Sequence, residues 1–321
     1  MSMAVRALTM TAVVFGQSLL PFVPAAARQQ GTSLQASARP HVIVLAHRGC
    51  WGKVPEVSVS AILNCQLVGA DEVEIDVRES RDGILILMHD DTVDRTTDGT
   101  GRVADLTAAQ IHALHLKTGG GGADATLTSE HVPTLEEGLA AARGKVLVNL
   151  HLKVPVEARV AAVVRRMKME GRVTTWVTAA PDDPQLLRSP LKGAIGIIPT
   201  INECGPQYPQ PCWTQPIRSL RAFGPIRPVA FFLDFRQTHS FISAVSNSKR
   251  PAGSRIFVET LNNIDVLPRD ERHAEWRRLI DMGVSIIMTN EPGDLIDFLK
   301  TIPFKGRPSD ANPLLKPIAK N

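Results

Sequence analysis

The chain has 321 residues, of which 44% are hydrophobic and 21% charged, and its formal net charge is +4. This is an ordinary globular composition, long enough for one large domain or two small ones. The basic residues are scattered along the chain, which argues against a nucleic-acid partner.

The first 27 residues differ in composition from the rest of the chain. Arg6 gives a positively charged start, residues 7–23 are largely apolar, and Ala25, Ala26 and Ala27 offer a cleavage site. We interpret residues 1–27 as a secretory signal peptide, with an uncleaved membrane anchor as the alternative. The apolar run is short for a membrane span. We therefore expect a periplasmic or secreted protein with no stable membrane insertion after cleavage.

Export changes the interpretation of the four cysteines, because disulfides persist in oxidising compartments. Cys204 and Cys212 flank a proline-rich loop and are one candidate pair, and Cys50 and Cys65 are another. Four cysteines allow three pairings. A buried, unpaired Cys65 on a helix is the alternative.

Strand and helix patterns alternate after a polar linker at residues 28–40. Ser58 and Gly69 are the predicted start and end of one helix, and Thr134 with Glu137 forms a capping box for another. Further helices are predicted at 155–170 and 271–282. The predicted strands are 41–46, 73–77, 84–88, 146–152, 174–178, 194–199, 229–234, 255–261 and 284–289. We predict a single domain over 41–304 and a flexible tail over 305–321.

The link between strands 73–77 and 84–88 is too short for a helical crossover, and Asp82-Gly83 is a hairpin turn signal. We therefore expect these two strands to be antiparallel neighbours. Roughly eight strands alternating with helices over roughly 260 residues favour a closed barrel. The predicted fold is a distorted (β/α)8 TIM-type barrel with a hairpin irregularity at 73–77 and 84–88. Residues 119–122, a glycine run, are interpreted as a flexible surface loop.

Polar residues stand at the ends of the early strands, where α/β barrels place their chemistry. His47 and Arg48 follow the first strand, and His89 follows the third. Glu74 and Asp76 share one face of a strand, and adjacent inward carboxylates repel unless a cation lies between them. A hard divalent ion such as Mg²⁺ or Ca²⁺ suits such a pair.

One later strand continues this pattern, with Asn149, His151 and Lys153 on one face and apolar residues on the other. Each feature taken singly is as consistent with a structural role as with a functional one. Together they supply cations for phosphoryl oxygens, a metal site and an acid–base pair, which are the parts needed to hold a phosphodiester.

These motifs resemble the signature of the glycerophosphodiester phosphodiesterase family, a group of phospholipase C-like TIM barrels. A weaker likeness extends through Lys153 to residues 260–262 and 283–292. The matching segments, in chain order, are His47-Arg48-Gly49, Pro55-Glu56-Val57-Ser58, Glu74-Ile75-Asp76, Asp82-Gly83, His89-Asp90 and Arg95-Thr96-Thr97.

The resemblance implies hydrolysis of glycerophosphodiesters to sn-glycerol 3-phosphate and an alcohol. His47 and His89 would be the general acid and base, in an order that the sequence leaves open, and the partner would be a small-molecule phosphodiester. Arg48 and Lys153 would bind the phosphate, whereas the metal ligands would include Glu74 and Asp76. Glu56 would orient Arg48 and the groups around the metal.

This chain departs from the family pattern at several positions. His151 stands where the family has a third carboxylate ligand, so the expected divalent ion is Mg²⁺ or Ca²⁺ by resemblance, with Mn²⁺ or Zn²⁺ suited to an imidazole. Val57 replaces a motif asparagine, and Asn290 replaces an aspartate. Glu259 stands where relatives carry Trp or Asn, and we interpret it as an outer partner of the site, a substrate contact, or an acid at the rim.

Two alternative functions come from the same residues. A barrel that binds phosphate without turnover is favoured by the loss of the third carboxylate at His151. A phospholipase D-type lipid phosphodiesterase is favoured if residues 206–213 form an apolar loop near the site. The sequence does not fix the alcohol of the substrate or the oligomeric state.

Overall fold

The computed structural model of the chain describes residues 42–178, 183–203, 220–234 and 239–302. The predicted signal peptide, the linker and the tail lie outside these residues, as do Cys204, Cys212 and residues 206–213. Those interpretations therefore remain predictions.

The central feature is a closed barrel of eight parallel strands, which confirms the predicted TIM-type fold. The barrel strands are β1 (Ile43–Ala46), β2 (Glu72–Glu79), β6 (Leu147–Leu152), β7 (Val173–Val177), β8 (Gly196–Asn202), β9 (Ala230–Asp234), β10 (Arg255–Glu259) and β11 (Ile286–Thr289). Around the barrel the order is β1, β11, β10, β9, β8, β7, β6 and β2, and β1 pairs with β2 to close it.

Helices follow most of the strands. The first begins after Ser58, whose side chain accepts a hydrogen bond from Ala61 N, and ends at Gly69 with φ 90°. Both predicted caps are thus confirmed, as is the capping box of Thr134 with Glu137. The helices are α1 (Val59–Val68), α2 (Ala108–His112), α3 (Leu135–Ala142), α4 (Glu157–Arg166), α5 (Pro184–Leu187), α6 (His239–Ser246), α7 (Arg269–Asp281) and α8 (Pro292–Thr301).

The barrel carries the predicted hairpin irregularity. Strand β3 (Leu85–Leu87) pairs antiparallel with β2, with Val77 opposite Leu87. The turn between them is held by the Ser80 hydroxyl, which donates to Asp82 Oδ1 at 2.7 Å, and Gly83 has φ 82°. The hairpin replaces a crossover helix and sends the chain out of the barrel at His89.

Residues 89–133 form a small lobe that the sequence did not predict. It contains α2 and an antiparallel pair, β4 (His115–Lys117) and β5 (Leu127–His131). Its own apolar core includes Val93, Ile111 and Val132. β4 has only three residues, too few for its alternation of polar and apolar residues to identify a strand from sequence, and the five residues of β5 are largely exposed and do not alternate.

Strand alternation separates two apolar cores. Val73, Ile75 and Val77 belong to the core between the sheet and the helices. The barrel interior has a second core that includes Leu45 and Phe257. Because successive side chains of a strand point to opposite faces, the residues of β2 that alternate with the valines and the isoleucine, Glu72, Glu74 and Asp76, lie on the interior face.

The loop after β1 is joined to α1 by a disulfide between Cys50 and Cys65, whose Cα atoms lie 5.0 Å apart. This was one of the two candidate pairs. Cys65 is fully buried on the helix, as the alternative expected, but it is paired with Cys50 and the expectation of an unpaired cysteine is wrong. Within the residues that the structure describes, no helix has the length and apolarity needed to cross a membrane.

We expect the Cys50→Ala/Cys65→Ala variant to lower the free energy of unfolding by about 3 kcal/mol, the chain-entropy value for a loop of roughly this length. The two cysteines are 15 positions apart. Urea unfolding of the variant, and of the wild type with and without reductant, measures this. Equal stability with and without reductant would contradict the prediction.

Candidate active site

The predicted site residues come together at the carboxyl ends of the barrel strands. They border a pocket of about 480 Å³, which Trp51, Arg95, Gly120 and Trp176 also line. Asp76 is fully buried and contacts the pocket residues His151 and Lys153. The sequence-predicted residues that line the pocket are His47, Arg48, Glu56, Glu74, His89, His151, Lys153 and Glu259.

The parallel register of β2 and β6 creates a group of three potential metal ligands. Asp76 pairs with His151 across the two strands, and His151 Nδ1 lies 3.3 Å from Asp76 Oδ1 and 3.9 Å from Glu74 Oε1. One ligand atom from each of these three residues lies within 4.8 Å of the other two. This is the set that the sequence predicted as metal ligands.

The two carboxylates differ in their electrostatics. Burial and the neighbouring Asp76 charge raise the pKa of Glu74 well above its ordinary value. Burial also disfavours the Asp76 charge, but His151 and Lys153 outweigh it and lower the pKa of Asp76. Lys153 Nζ lies 3.0 Å from Asp76 Oδ1. The strand thus carries one carboxylate that is held ionised and one whose charge is only partly offset by Lys153 and Arg48.

A tight turn after β1 fixes the next site residues. Arg48 and Gly49 both have positive φ, 56° and 88°, and a Cβ at Gly49 would lie 2.7 Å from the Ala61 side chain. Only glycine fits there without a clash. The turn points the Arg48 backbone N–H at Glu74 Oε2, at 2.9 Å, and so ties the first motif to the second.

His47 is held by residues at the end of β11. Its Nδ1 lies 2.8 Å from Asn290 Oδ1, and its backbone N–H donates to Thr289 O at 3.1 Å. Because an amide oxygen only accepts hydrogen bonds, Nδ1 carries the proton and Nε2 keeps its lone pair. Burial, reinforced by the charge of Arg48, lowers the pKa of His47 to about 4, although the hydrogen bond that His47 donates to Asn290 acts in the opposite direction.

His89 has a charged partner instead. Its Nδ1 lies 2.7 Å from Asp90 Oδ1, and Arg95 donates to both oxygens of Asp90, at 2.7 and 2.9 Å. Burial lowers the pKa of His89, and the carboxylates of Asp76 and Asp90 oppose that shift. Arg95 and its neighbours hold the pKa of Asp90 below its usual range.

Arg95 is a site residue to which our sequence analysis assigned no role. Besides Asp90, it donates to Glu56 Oε1 at 2.7 Å and to the carbonyl of Gly120. Glu56 is 4% exposed and also accepts from Arg48 Nη1 at 3.2 Å. Arg95 therefore connects Asp90, the partner of His89, to Glu56, the partner of Arg48. Its place in the Arg-Thr-Thr motif was the only sequence signal for it.

The glycine run at 119–122, which the sequence analysis interpreted as a flexible surface loop, is half-exposed and is bonded to the segment at Arg95. Gly120 borders the pocket, and Gly122 N–H donates to Arg95 O at 2.7 Å. A Cβ at Gly121, where φ is 71°, would lie 2.3 Å from Arg95 O. Glycine is required here because the backbone of the loop lies against the backbone at Arg95.

Val57, which replaces the motif asparagine, has φ 54° and is 3% exposed. A β-branched residue is a backbone outlier in this region, which asparagine tolerates better. The motif asparagine therefore suits position 57 for its tolerance of a positive φ as well as for its polar side chain.

The far wall of the pocket is formed by β10 and β11. Glu259 ends β10 beside Met288 of β11, and both border the pocket with Leu261 and Asn262. On another side, the His151 ring contacts the Trp176 ring with centroids 4.6 Å apart. Glu259 therefore shares the pocket with the metal-ligand group but stands across the barrel from it.

Comparisons with known proteins agree with this geometry. The family model for the glycerophosphoryl diester phosphodiesterase family matches residues 47–185. A glycerophosphodiester phosphodiesterase of Caldanaerobacter subterraneus subsp. tengcongensis is 28% identical over 80% of this chain and 98% of its own length. Human glycerophosphodiester phosphodiesterase 1 is 43% identical, over 32% of this chain and only 30% of its own length. The crystal structure of a glycerophosphoryl diester phosphodiesterase from Parabacteroides distasonis superposes with a TM-score of 0.65, covering 84% of this chain and 90% of that one, at 24% identity.

The closed parallel barrel, with histidines, acids and cations gathered at its carboxyl edge, defines a TIM-barrel enzyme of the phosphodiesterase class. Over residues 47–185 the chain is similar to the glycerophosphodiester phosphodiesterase family, and the comparisons support the resemblance that the sequence motifs indicated.

Proposed function

We propose that this chain hydrolyses glycerophosphodiesters to sn-glycerol 3-phosphate and an alcohol, with a divalent metal ion and with His47 and His89 as the proton-transfer pair. The observation that carries this proposal is that the two histidines, in different electrostatic settings, border one pocket with Glu74 and two cations, Arg48 and Lys153. The substrate is a small-molecule phosphodiester.

The residues at the β2–β6 edge fit a single divalent ion. Glu74 Oε1 and Asp76 Oδ2 are buried without a hydrogen-bond partner, which is costly unless a cation satisfies them. Glu74, Asp76 and His151 would hold the ion. The carboxylates favour Mg²⁺ or Ca²⁺, whereas the imidazole suits Mn²⁺ or Zn²⁺. A bound divalent ion supplies positive charge that polarises a phosphoryl oxygen.

The cations at the pocket are placed for a phosphate. Arg48 and Lys153 both border it, and each is anchored to a buried carboxylate, Glu56 and Asp76 respectively. A cation fixed in advance stabilises charge that develops on phosphoryl oxygens without reorganising during the reaction. We assign Arg48 and Lys153 to the phosphate and Glu56 to the positioning of Arg48.

The hydrogen-bond partners of the two histidines indicate which one is the general base and which one is the general acid. His47 donates from Nδ1 to a neutral amide and has a pKa lowered by burial to about 4, so at neutral pH it is uncharged and its Nε2 accepts a proton. That proton comes from a water molecule that attacks phosphorus, or from a neighbouring substrate hydroxyl whose attack gives a cyclic phosphodiester that water then opens to sn-glycerol 3-phosphate. His89 lies beside the Asp90 carboxylate, which opposes the lowering of its pKa by burial, and His89 donates its proton to the leaving alkoxide.

Two substrates whose leaving groups differ in their need for a proton test this assignment of base and acid. On glycerophosphocholine, His47→Ala and His89→Ala are each expected to lower kcat by about 10²- to 10⁴-fold, the usual contribution of a general acid or base. On a p-nitrophenyl diester, which needs no protonation to leave, His89→Ala should lose far less while His47→Ala loses as much as before.

His112→Ala is the control, since this histidine is exposed outside the pocket and should leave both rates unchanged. If His47→Ala, and not His89→Ala, regained activity on the p-nitrophenyl diester, His47 would be the general acid and His89 the general base. No release from wild type with any divalent ion would favour the alternative, a phosphate-binding barrel without turnover. Glycerophosphoethanolamine and glycerophosphoinositol complete the substrate panel, and cleavage of an intact lipid would favour the phospholipase D-type alternative.

We also propose export to the periplasm or beyond. The sequence of residues 1–27 supports it, and so does the Cys50–Cys65 disulfide, because structural disulfides are rare in reducing compartments. The intact mass of the protein purified from its native host should correspond to a chain that begins near residue 28. A mass that includes residue 1 would contradict the proposal.

A further inference from the structure

Asp265 is a buried carboxylate that does not border the pocket and belongs to no motif of the sequence. It follows β10 and is 8% exposed. Its Oδ1 accepts from the hydroxyls of Thr260, at 2.6 Å, and Thr289, at 2.9 Å. Its Oδ2 accepts from the backbone N–H of Asn290 at 2.7 Å. One side chain thus joins the end of β10 to the end of β11.

The residue that Asp265 holds is the one that holds His47. Asn290 offers its side-chain oxygen to His47 Nδ1, and the preceding Thr289 accepts the His47 backbone N–H. Asp265 therefore reaches the histidine through a single intervening residue. Its own loop is fixed by Arg272, whose Nη1 donates to Asp265 O at 2.9 Å, and by the Asp265 N–H, which donates to Thr260 O at 2.8 Å.

We propose that Asp265 is a positioning residue for His47: it fixes the Asn290 backbone so that the amide oxygen keeps the proton of His47 on Nδ1 and leaves Nε2 free for the reaction. The proposal rests on the proposed function, since it assumes that His47 transfers a proton.

The chemistry of the contacts explains why a carboxylate stands here. Three donors converge on Asp265, two hydroxyls and one N–H, and an ionised carboxylate accepts from all of them because it has only acceptor positions. An amide at this position offers one oxygen and two hydrogens, so it satisfies the Asn290 N–H and forces the hydroxyls to turn. An alanine leaves the Asn290 N–H without its partner, and the loop that carries the amide oxygen is then free to shift.

The expected effect is on turnover more than on substrate binding, because His47 acts in the chemical step. Misplacing a reacting group by about 1 Å costs about 10²-fold in rate, so we expect Asp265→Ala to lower kcat about 10- to 100-fold with KM nearly unchanged. Asp265→Asn, which keeps an acceptor for the Asn290 N–H, should recover most of that loss.

Thr260→Val is the matched control. It removes one donor to the same carboxylate on the β10 side but leaves the Asp265 bond to Asn290 in place. If Asp265 served only to stabilise the fold, Thr260→Val and Asp265→Ala variants of similar melting temperature would have similar kcat. Positioning through Asn290 instead predicts that Thr260→Val keeps the wild-type kcat.

A double-mutant cycle tests the route. If Asp265 acts through Asn290, the Asp265→Ala/Asn290→Ala double variant should be no slower than Asn290→Ala alone, whereas independent roles would multiply the two losses. Multiplied losses, or an unchanged kcat in Asp265→Ala, would overturn the proposal.

A readout that needs no turnover separates this inference from the proposed function. In ¹⁵N-histidine NMR spectra of the metal-free protein near pH 7, the His47 signals, assigned by their loss in His47→Ala, should show a protonated Nδ1 and an unprotonated Nε2. Asp265→Ala should shift these signals toward a mixture of the two tautomers, and Thr260→Val should not.

Unchanged tautomer signals in Asp265→Ala overturn the inference even if the enzyme is inactive. If the wild type has no activity but the His47 signals and their change in Asp265→Ala are as expected, the proposed function is overturned and the inference about Asp265 stands. Should Asp265→Ala fail to fold, Asn290→Ala and Asp265→Asn decide the matter. A wild-type tautomer in Asn290→Ala would overturn the inference, and so would an Asp265→Asn variant that loses as much kcat as Asn290→Ala.

Discussion

Glu74→Gln should make the metal-free protein more stable and remove its activity. Glu74 is 1% exposed beside Asp76, and both burial and that neighbour raise its pKa, so the folded protein disfavours its charge at neutral pH. Glutamine is nearly isosteric and retains an oxygen for the Arg48 N–H, without the charge. We expect a higher melting temperature in chelator, and a loss of activity of about 10³-fold or more from the removed ligand and charge.

The pH dependence follows from the same shift. Because the folded-state pKa of Glu74 lies above its ordinary value of 4.5, the native state binds more protons than the unfolded state in the window above pH 4.5. Its contribution to stability therefore falls as the pH rises through that window. Metal-free Glu74→Gln should lose this part of the pH dependence, which thermal unfolding between pH 4.5 and 8 measures.

Glu79→Gln is the control for Glu74→Gln, because Glu79 lies on the same strand in an ion pair with Arg159 on the protein surface. Exposed pairs of this kind contribute about 0–1 kcal/mol, so little change in stability or activity is expected. Divalent ions that stabilise wild type should raise the melting temperature of Glu79→Gln equally and of Glu74→Gln far less. An equal increase in all three proteins would rule out Glu74 as a ligand.

Arg95→Met should have the second large effect, on both stability and rate. Arg95 makes charge-assisted hydrogen bonds to Asp90 and Glu56, and the loss of bonds of this type from a mostly buried site costs about 2–3 kcal/mol. Without Arg95, the Asp90 carboxylate keeps only its contact with His89 and is no longer held in place, so His89 loses its alignment. We expect kcat to fall about 10²-fold, the cost of a displacement of about 1 Å.

The Arg95 prediction is checked by urea unfolding together with steady-state kinetics on two substrates. If Arg95 acts through His89, the loss of kcat should shrink on a p-nitrophenyl diester, just as in His89→Ala. Arg102→Met is the control, since Arg102 forms an exposed ion pair with Asp91 in the same lobe. A rate loss that is the same on both substrates would place the effect of Arg95 elsewhere than on the leaving-group acid.

The sequence by itself determined the fold class and the face of each strand. The alternation of acids with Val73, Ile75 and Val77 is a local pattern, and it assigned Glu74 and Asp76 to the barrel interior before any contact was known. The short link at Asp82-Gly83 likewise predicted the antiparallel β2–β3 hairpin. Such features depend on residues that are close together in the chain, so they can be predicted from the local sequence.

The tertiary structure alone decided which distant residues meet. The β2–β6 register sets His151 beside Asp76, and barrel closure sets Asn290 against His47 across 243 positions of sequence. Arg95 and Asp265 carry no periodic signal, because each acts through hydrogen bonds to residues on other elements. Strand order and register follow from the summed packing of the whole barrel, and no segment of the sequence contains that information.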